Sequence, residues 1–482
     1  MSCWGADDEE KPYERVWIDE SDFKEDESQW DAARKLAKAK CRELRGNPPK
    51  SLAIDPVSHL PLQYAGWQFA VKSQMCPRCG EKVWMWQPHF VCADSGVCVH
   101  VECGPGVFIE RDYDVYYAGE KEVYIEDKEI GHKGNIHLVR ATHAEDAVWS
   151  EVLRLAYEMG TELETAEIDI DDDSWDATKL AGISPADAID LASAAKAILA
   201  KEPTLTEAPV PAVVYGDTHG QLRDVLLYFN IYGWPGETKE YVIFNGDFVD
   251  RGKHDVELLL VFLSLKVQYP AKVFLNRGNH EEPGINDRYG FTESCKKYFG
   301  PQAGPQVLAA FQDVFAVMPL ACLVADEVLT VHGGIGNGNW TLDDLRQVSR
   351  PIRTSDQMNE MVYNLLWSDP IEEDDPTERE IFGVHANPRG TRSLKFGFDV
   401  TLNFCERNEL SMIVRSHSAK ISGFGFDVMH DNMLIRVFSA RDYGMYGNDG
   451  AILGITKKRD GVLCARPKLL KSRKKEAAEL TQ

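Results

Sequence analysis

Four short motifs, each directly after an apolar strand-like run, carry residues able to hold cations. Gly216-Asp217-Thr218-His219-Gly220 follows Pro211 to Tyr215, and Gly246-Asp247-Phe248-Val249-Asp250-Arg251-Gly252 follows Tyr241 to Phe244. Gly278-Asn279-His280-Glu281 follows Lys272 to Leu275, and His332-Gly333-Gly334 follows Val328 to Val331. Strand C-termini are where open α/β sheets gather their sites. Asp217 and His219 are two residues apart, so on an extended segment both side chains point one way and can share one cation. Asp247, Asn279 and His332 add one donor each, and His417, after Met412 to Arg415, is a sixth candidate. Mixed carboxylate, amide and imidazole donors suit manganese, iron or zinc better than calcium, which prefers oxygen alone. Six donors exceed what one catalytic ion with open positions needs. Two ions sharing Asp247, about 3.5–4 Å apart, fit the set, and such a pair lowers the pKa of a bridging water and clamps a phosphoryl group.

Neighbouring residues supply the remaining chemistry. Arg251 offers a guanidinium fork for phosphate oxygens. His280 adjoins Asn279 and is placed to protonate a leaving alkoxide, with Asp250 orienting it and favouring its charged form. An isolated Gly-Asp is ordinarily a turn and an isolated buried His a packing residue. Four such motifs in order after strands argue for one centre. His254, His385 and His430 lack this context and read as surface or packing residues.

The elements that must position these groups are legible as a pattern. From Pro211 to about Ile455 strands alternate with helical stretches, an α/β arrangement. Leu258 to Leu265 is the longest apolar run, too short to span a bilayer, and reads as a buried helix. Ser184-Pro185-Ala186-Asp187 opens a helix to about Lys201, with Ser as cap, Pro in the first turn and Asp complementing the dipole. Further helices are expected over Ser28 to Arg45 and Val148 to Met159, and short strands between Val107 and Ile125. The expected organisation is an acidic segment and helix over 1–50, a zinc-binding accessory domain over 51–160, and an acidic linker over 161–183. A catalytic domain over 184–456 and a basic tail over 457–482 follow.

The net charge of −24 over 482 residues argues against nucleic-acid or anionic-membrane binding through the whole surface. Charge is unevenly spread. Glu162 to Asp176 holds eight acids and no Lys or Arg, whereas Lys457 to Lys475 holds nine Lys/Arg and one acid, and reads as a solvated extension. The N-terminus is acidic, with no apolar segment of the kind a secretory signal needs. Five of the eleven Cys (Cys76, Cys79, Cys92, Cys98, Cys103) fall within 28 residues, which suggests metal binding in a reducing compartment.

Beyond the motifs, Asn286-Asp287-Arg288-Tyr289-Gly290-Phe291, Leu365-Leu366-Trp367-Ser368-Asp369-Pro370 and Phe438-Ser439-Ala440 extend a likeness. Residues from about 184 to 455 resemble the catalytic domain of the phosphoprotein phosphatase family of metal-dependent Ser/Thr phosphatases. The resemblance implies a metallophosphoesterase-type central β-sandwich flanked by helices. It implies that Asp217, His219 and Asp247 hold one metal and Asp247, Asn279, His332 and His417 the other. His280 paired with Asp250 would be the general acid, and Arg251 with a second Arg would bind phosphate. That second residue is expected to be Arg389 in Pro388-Arg389-Gly390, with Arg392 as the alternative in a lengthened segment. Tyr443 keeps the aromatic at the mouth of the site. Arg441 and Asp442 stand where the family commonly has Pro-Asn, and are expected to bear on substrate preference and sensitivity to natural toxin inhibitors. Ile335-Gly336-Asn337-Gly338-Asn339 replaces the usual Leu-Ser-Pro and is a divergent loop beside the site.

Cys76-Pro-Arg-Cys79 followed by His100-Val-Glu-Cys103 has the paired spacing of a tetrahedral zinc site. The spacing is similar to that of C1-type zinc domains, with one complete site at Cys76, Cys79, His100 and Cys103. The second is incomplete, since Ser95 stands where a partner of Cys92 is expected. Trp84, Met85 and Trp86 read as the small core of this module, and lipid binding is disfavoured by the acidic surroundings.

These readings together lead to the expectation of a cytoplasmic enzyme, with the nucleus as a second compartment. It would hydrolyse phosphoserine and phosphothreonine in proteins by a hydroxide activated between two divalent ions, with one structural zinc in an accessory module. Phosphoprotein substrates and regulatory subunits would be its partners, and nucleic acid would not. The alternatives are a metallophosphoesterase acting on nucleotides or small phosphate esters, and an inactive phosphoprotein-binding scaffold.

Overall fold

Alternation along four-residue strands explains how the site is carried. In the computed structural model the described residues are 148–165, 179–372, 381–421, 423–458 and 461–473, with seven short strands between residues 62 and 116. The latter are β1 (Leu62–Gly66), β2 (Gln74–Met75), β3 (Lys82–Val83), β4 (His89–Cys92), β5 (Cys98–His100), β6 (Phe108–Ile109) and β7 (Asp114–Tyr116). β1, β4 and β5 form one antiparallel sheet and β2 pairs with β3. Cys76, Cys79 and Cys103 lie outside the described residues, as do Ser28 to Arg45 and Trp84 to Trp86, so the zinc expectation falls outside them too.

Two larger sheets follow. Their strands begin with β8 (Leu205–Ala208), β9 (Ala212–Tyr215), β10 (Tyr241–Phe244), β11 (Val273–Leu275), β12 (Ala321–Val324) and β13 (Val328–Val331). The chain continues through β14 (Asp369–Pro370), β15 (Val384–Asn387), β16 (Gly390–Phe396), β17 (Met412–Arg415), β18 (Phe426–Met429), β19 (Leu434–Val437), β20 (Gly450–Lys457) and β21 (Leu463–Leu470). One sheet has the order β11-β10-β9-β20-β21-β6, with β7 also on β21. The other has the order β18-β19-β17-β13-β12-β8. Val214, Ile243, Phe274, Cys322, Val414 and Leu453 meet between the sheets, while Val213, Tyr215, Val242 and Phe244 point to the opposite face. Period-two alternation therefore makes a sandwich whose strands are buried on both faces, because helices cover the outside.

The helices are α1 (Val148–Thr165), α2 (Pro185–Leu199), α3 (Leu222–Tyr232), α4 (Asp255–Gln268), α5 (Pro283–Tyr289), α6 (Phe291–Phe299), α7 (Gly304–Phe315), α8 (Leu342–Arg346), α9 (Glu360–Trp367) and α10 (Phe398–Asn408). α4 is apolar on nearly every side, with Val256 and Leu258 through Leu263 buried, so it forms the centre of the outer layer. Ser184 caps α2 by accepting the Asp187 amide, as its sequence leads one to expect. α8, α9 and α10 cover the second sheet. Among the described residues no helix is long and apolar enough to cross a membrane.

Two expected boundaries shift. α1 runs through the 160/161 division, and its Val152, Ala156 and Met159 share one core with α3 and α4, so this helix belongs to the sandwich body. The segment after Lys457 is no solvated tail up to Leu470. β21 pairs with β20 over eight residues, and Leu463, Cys464, Ala465, Leu469 and Leu470 are buried. Its cations fit because Arg466 and Lys468 sit at half-buried positions, with Lys468 Nζ 4.2 Å from the Tyr232 ring centre.

Candidate active site

Five strands deliver the polar cluster from their C-terminal ends. β9, β10 and β11 run parallel, as do β13 and β17, and a bridge between Asp217 and Phe438 joins the two sheets at this edge. The chain must then turn sharply. His219, Asp247, Asp250, Arg251 and His417 all hold left-handed φ, between 39° and 71°, a conformation non-glycine residues keep only when their surroundings enforce it. Gly278 is required by contact, since a Cβ there would come within 2.3 Å of Asp247 Oδ1 and of its backbone nitrogen.

The six candidate donors converge. Asp247 turns its two oxygens in different directions: Oδ2 is 3.6 Å from His219 Nε2, and Oδ1 is 3.3 Å from His332 Nε2. Asp217 Oδ2 lies 3.8 Å from His219 Nε2, and Asp217 Oδ1 accepts the His417 amide at 2.8 Å. His332 Nε2 is also 2.8 Å from Asn279 Oδ1 and 3.2 Å from His417 Nδ1. The other nitrogens of His219 and His332 face backbone carbonyls, Val249 at 3.0 Å and Asn245 at 2.9 Å, which sets each ring's tautomer and aims its Nε2 at the cluster.

This donor set fits cations. With Nδ1 of His332 committed as a donor, Nε2 is the atom that faces the oxygens of Asn279 and Asp247, so the positive charge they call for is either a cation at its lone pair or a proton on it. His417 Nε2 is buried without a hydrogen-bond partner among the described residues. Acceptors facing acceptors in a dry site need a positive charge between them. The titration behaviour points the same way. Burial lowers His332, yet Asp247 and Asp217 carry it up to about 9. Burial raises Asp247, yet His332, His280 and His219 hold its carboxyl well below the usual carboxylate range. Burial pushes Asp217 up to about 7, with His332 pulling against and Asp247 pushing further.

His280 sits at the rim of this cluster. Its Nδ1 is 2.8 Å from Asp250 Oδ2, and Nε2 faces Asp247 Oδ2 at 3.9 Å. Burial disfavours the imidazolium, but Asp247 and Asp250 outweigh it and raise the pKa above the ordinary value. Asp250 is itself held by the Phe291 amide and Asn286. The Arg251 guanidinium lies 3.9 Å over the Tyr289 ring. Arg389 is anchored by Asp369, Nε to Oδ2 at 2.6 Å, and donates to Ser418 Oγ and to the His417 carbonyl. Arg392 instead donates to the carbonyls of Ser355 and Met358 over the Tyr363 ring, away from the cluster. Tyr443 stacks on His219, with ring centres 4.9 Å apart.

Arg441 and Asp442 do not line the mouth. Arg441 is buried against Asp224 of α3, and Asp442 accepts from Ser472 and Arg473. Their long or charged side chains find partners behind the loop. Glu281 and Asn245 have roles that the motifs alone did not disclose. Glu281 accepts the amides of Asp247, Phe248 and Gly278, bracing the loops that carry Asp247 and Asn279 with one carboxylate. Asn245 donates to the Val331 carbonyl and Ser416 Oγ, tying the two sheets beneath His332. Glu281 closes its own motif and Asn245 adjoins one, and neither position signals these contacts.

Comparison with known proteins agrees with this architecture. Residues 210–420 match the calcineurin-like phosphoesterase family. The chain is 38% identical over 266 residues to serine/threonine-protein phosphatase T of Schizosaccharomyces pombe, covering 54% of this chain and 53% of that protein. It is 37% identical over 269 residues to serine/threonine-protein phosphatase BSL2 of Arabidopsis thaliana, covering 55% of this chain and 26% of that protein. The chain thus spans about half the length of the first of these relatives and about a quarter of the second. A solved protein serine/threonine phosphatase from Saccharomyces cerevisiae superposes with a TM-score of 0.51 at 31% identity, over 59% of this chain and 89% of that one. Matched in sequence and in fold across nearly all of that solved phosphatase, the chain belongs to the calcineurin-like phosphoesterase family.

Proposed function

We propose that the chain hydrolyses phosphoserine and phosphothreonine esters in proteins. The observation that carries this reading is the His280–Asp250 pair set beside the donor cluster, with Arg251 and Arg389 nearby. The relatives' names support the same reaction class. Asp217, His219 and Asp247 would hold one divalent ion (manganese, iron or zinc), and Asp247, Asn279, His332 and His417 a second. When bound, the pair supplies Lewis acidity that lowers the pKa of a water and neutralises phosphoryl charge.

The chain's own side chains do the rest. Arg251 and Arg389 receive phosphate oxygens as guanidinium forks, each held by a partner of its own, Tyr289 for Arg251 and Asp369 for Arg389. Tyr443 covers the His219 side of the site. Asp250 keeps Nδ1 of His280 engaged, so the proton available to the departing Ser or Thr oxygen is the one on Nε2. A second proposed site is a structural zinc held by Cys76, Cys79, His100 and Cys103 in the N-terminal module. Regulatory subunits and residence in cytoplasm or nucleus belong to the same proposal.

The test uses the full chain with manganese, comparing a phosphothreonine peptide with diadenosine tetraphosphate. Preference for the peptide is expected. Preference for the dinucleotide would move the protein to nucleotide hydrolysis. Absence of turnover on either, or on p-nitrophenyl phosphate, with both metals bound would leave a binding scaffold.

A further inference from the structure

We propose that residues 471–473, just after the last strand of the sandwich, form a latch that positions Tyr443 in the active centre through Arg441, Asp442 and Asp449. What Tyr443 contacts in substrate rests on the phosphatase reading above. The latch itself rests on geometry.

Tyr443 is carried on a loop between β19 and β20 that is poorly suited to hold itself still. Gly444 and Gly447 are left-handed, as is Asp442 at φ 52°. Its internal bonds hang mostly on one residue: Asp442 N–H donates to the Asn448 carbonyl, Tyr443 N–H to Asn448 Oδ1 and Asn448 Nδ2 to the Ala440 and Asp449 carbonyls, with Tyr446 N–H on the Tyr443 carbonyl besides. The base of the loop is pinned by the Ser439 and Ala440 amides on the Asp217 carbonyl and by the Asp449 amide on the Gly423 carbonyl, and a further group of external ties meets at three consecutive residues. Arg441 pairs with Asp224 of α3, Nε to Oδ1 at 2.8 Å, and donates through Nη1 to the Lys471 carbonyl at 3.2 Å. Ser472 Oγ donates to Asp442 Oδ1, and the Arg473 amide donates to Asp442 Oδ2 at 3.0 Å. At the far end of the loop, Asp449 Oδ1 accepts the Ser472 amide at 2.7 Å. Ser472 is fully buried, and Arg441 is 2% exposed.

The segment therefore bridges both ends of the Tyr443 loop and, through Arg441, the helix that follows His219. None of its residues touches the donor cluster, so they are positioning residues. Loosening them frees the Tyr443 ring from its stack on His219. Tyr443 lies within electrostatic reach of Arg251, so the loss falls on substrate binding more than on the chemical step.

The experiment compares full-length wild type with Ser472→Ala, Asp442→Ala, Tyr443→Ala and the Ser472→Ala/Tyr443→Ala double variant. Two readouts are taken: kcat and KM on a phosphothreonine peptide, and hydrogen exchange over residues 438–449. Ser472→Ala and Asp442→Ala should each raise KM on the order of three- to tenfold with kcat nearly unchanged, and speed exchange in the loop. In the Tyr443→Ala background, Ser472→Ala should add nothing to KM. Unchanged KM and unchanged exchange in both latch variants, or effects that multiply in the double variant, would overturn the latch. If wild type turns over no phosphate ester, the phosphatase reading falls, and exchange over 438–449 alone then decides the latch.

Discussion

His332 Nε2 lies 3.3 Å from Asp247 Oδ1, while Nδ1 of the same ring faces the Asn245 carbonyl at 2.9 Å. One nitrogen is thereby committed to the scaffold beneath the site, and the other is left to meet a carboxylate oxygen. Asp247 does the same from its side, sending its second oxygen toward His219 at 3.6 Å. The carboxylate is the hinge of the whole cluster.

Replacing that hinge should dismantle both halves at once. Asp247→Asn keeps the shape but removes the charge and one acceptor oxygen, leaving His219 and His332 without their shared counter-charge. Metal content of the purified variant should fall for both ions, and turnover should be nearly abolished. Retention of both metals with substantial activity would show that Asp247 is not shared.

His280 should separate from the ligands by the opposite signature. With Nδ1 on Asp250 and Nε2 at the rim, His280→Ala should leave metal content intact while slowing hydrolysis of an alkyl phosphate by roughly 10²–10⁴-fold. The deficit should shrink on p-nitrophenyl phosphate, whose leaving group needs little proton assistance. An equal deficit on both esters would remove His280 from the role of acid.

Much of this centre was legible because each candidate donor directly follows an apolar run, and the C-terminal end of such a strand is where the chain leaves the core. Asp217, Asp247, Asn279 and His332 are such cases. Other features left no periodic trace. β21 reads as basic because Arg466 and Lys468 interrupt its apolar positions, and only pairing with β20 reveals a central strand. Arg441 and Asp442 flank an active-site aromatic in sequence, yet their partners are Asp224, Ser472 and Arg473, more than 29 residues away along the chain. Glu281 looked like one more motif residue. That it accepts three amides from two loops depends on contacts across a sheet.

The two arginine candidates should differ in kinetics. Arg389 is held beside His417 by Asp369 and Ser418, so Arg389→Ala should raise KM and lower kcat together, since a phosphate clamp acts in ground and transition states. Arg392 secures the 355–358 turn from the far side of the hairpin, so Arg392→Ala should lower thermal stability modestly and leave KM unchanged. The reverse pattern would mean that the hairpin presents its other arginine to substrate.

Zinc in the N-terminal module should be measured in the full chain, because β6 and β7 pair with β21 and a fragment would lose those contacts. Three metal equivalents per chain are expected after reconstitution, falling to two in Cys76→Ser with turnover per active centre preserved. A closed four-ligand site contributes folding energy directly, so the variant should gain a low-temperature melting step. A wild type with only two equivalents would return the cysteines to the role of core thiols.

His430 offers a test of the scaffold that is independent of the metals. It is fully buried, with Nδ1 2.8 Å from Thr401 Oγ1 and Nε2 3.0 Å from the Ile371 carbonyl, an arrangement made for a neutral ring that accepts from the hydroxyl and donates to the carbonyl. Burial pushes its pKa down to about 4 from an ordinary value near 6.5. The unfolded chain therefore takes up a proton between those values that the folded protein refuses, and stability must fall as pH falls through that window. Full coupling is worth about 1.4 kcal/mol per pH unit, about 3 kcal/mol across the window. His430→Gln, which can accept from the Thr401 hydroxyl and donate to the Ile371 carbonyl, should cost some stability at pH 7.5 and lose less than wild type on going to pH 5. Urea midpoints at the two pH values measure this, and parallel losses in wild type and variant would show that His430 ionises freely in the folded state.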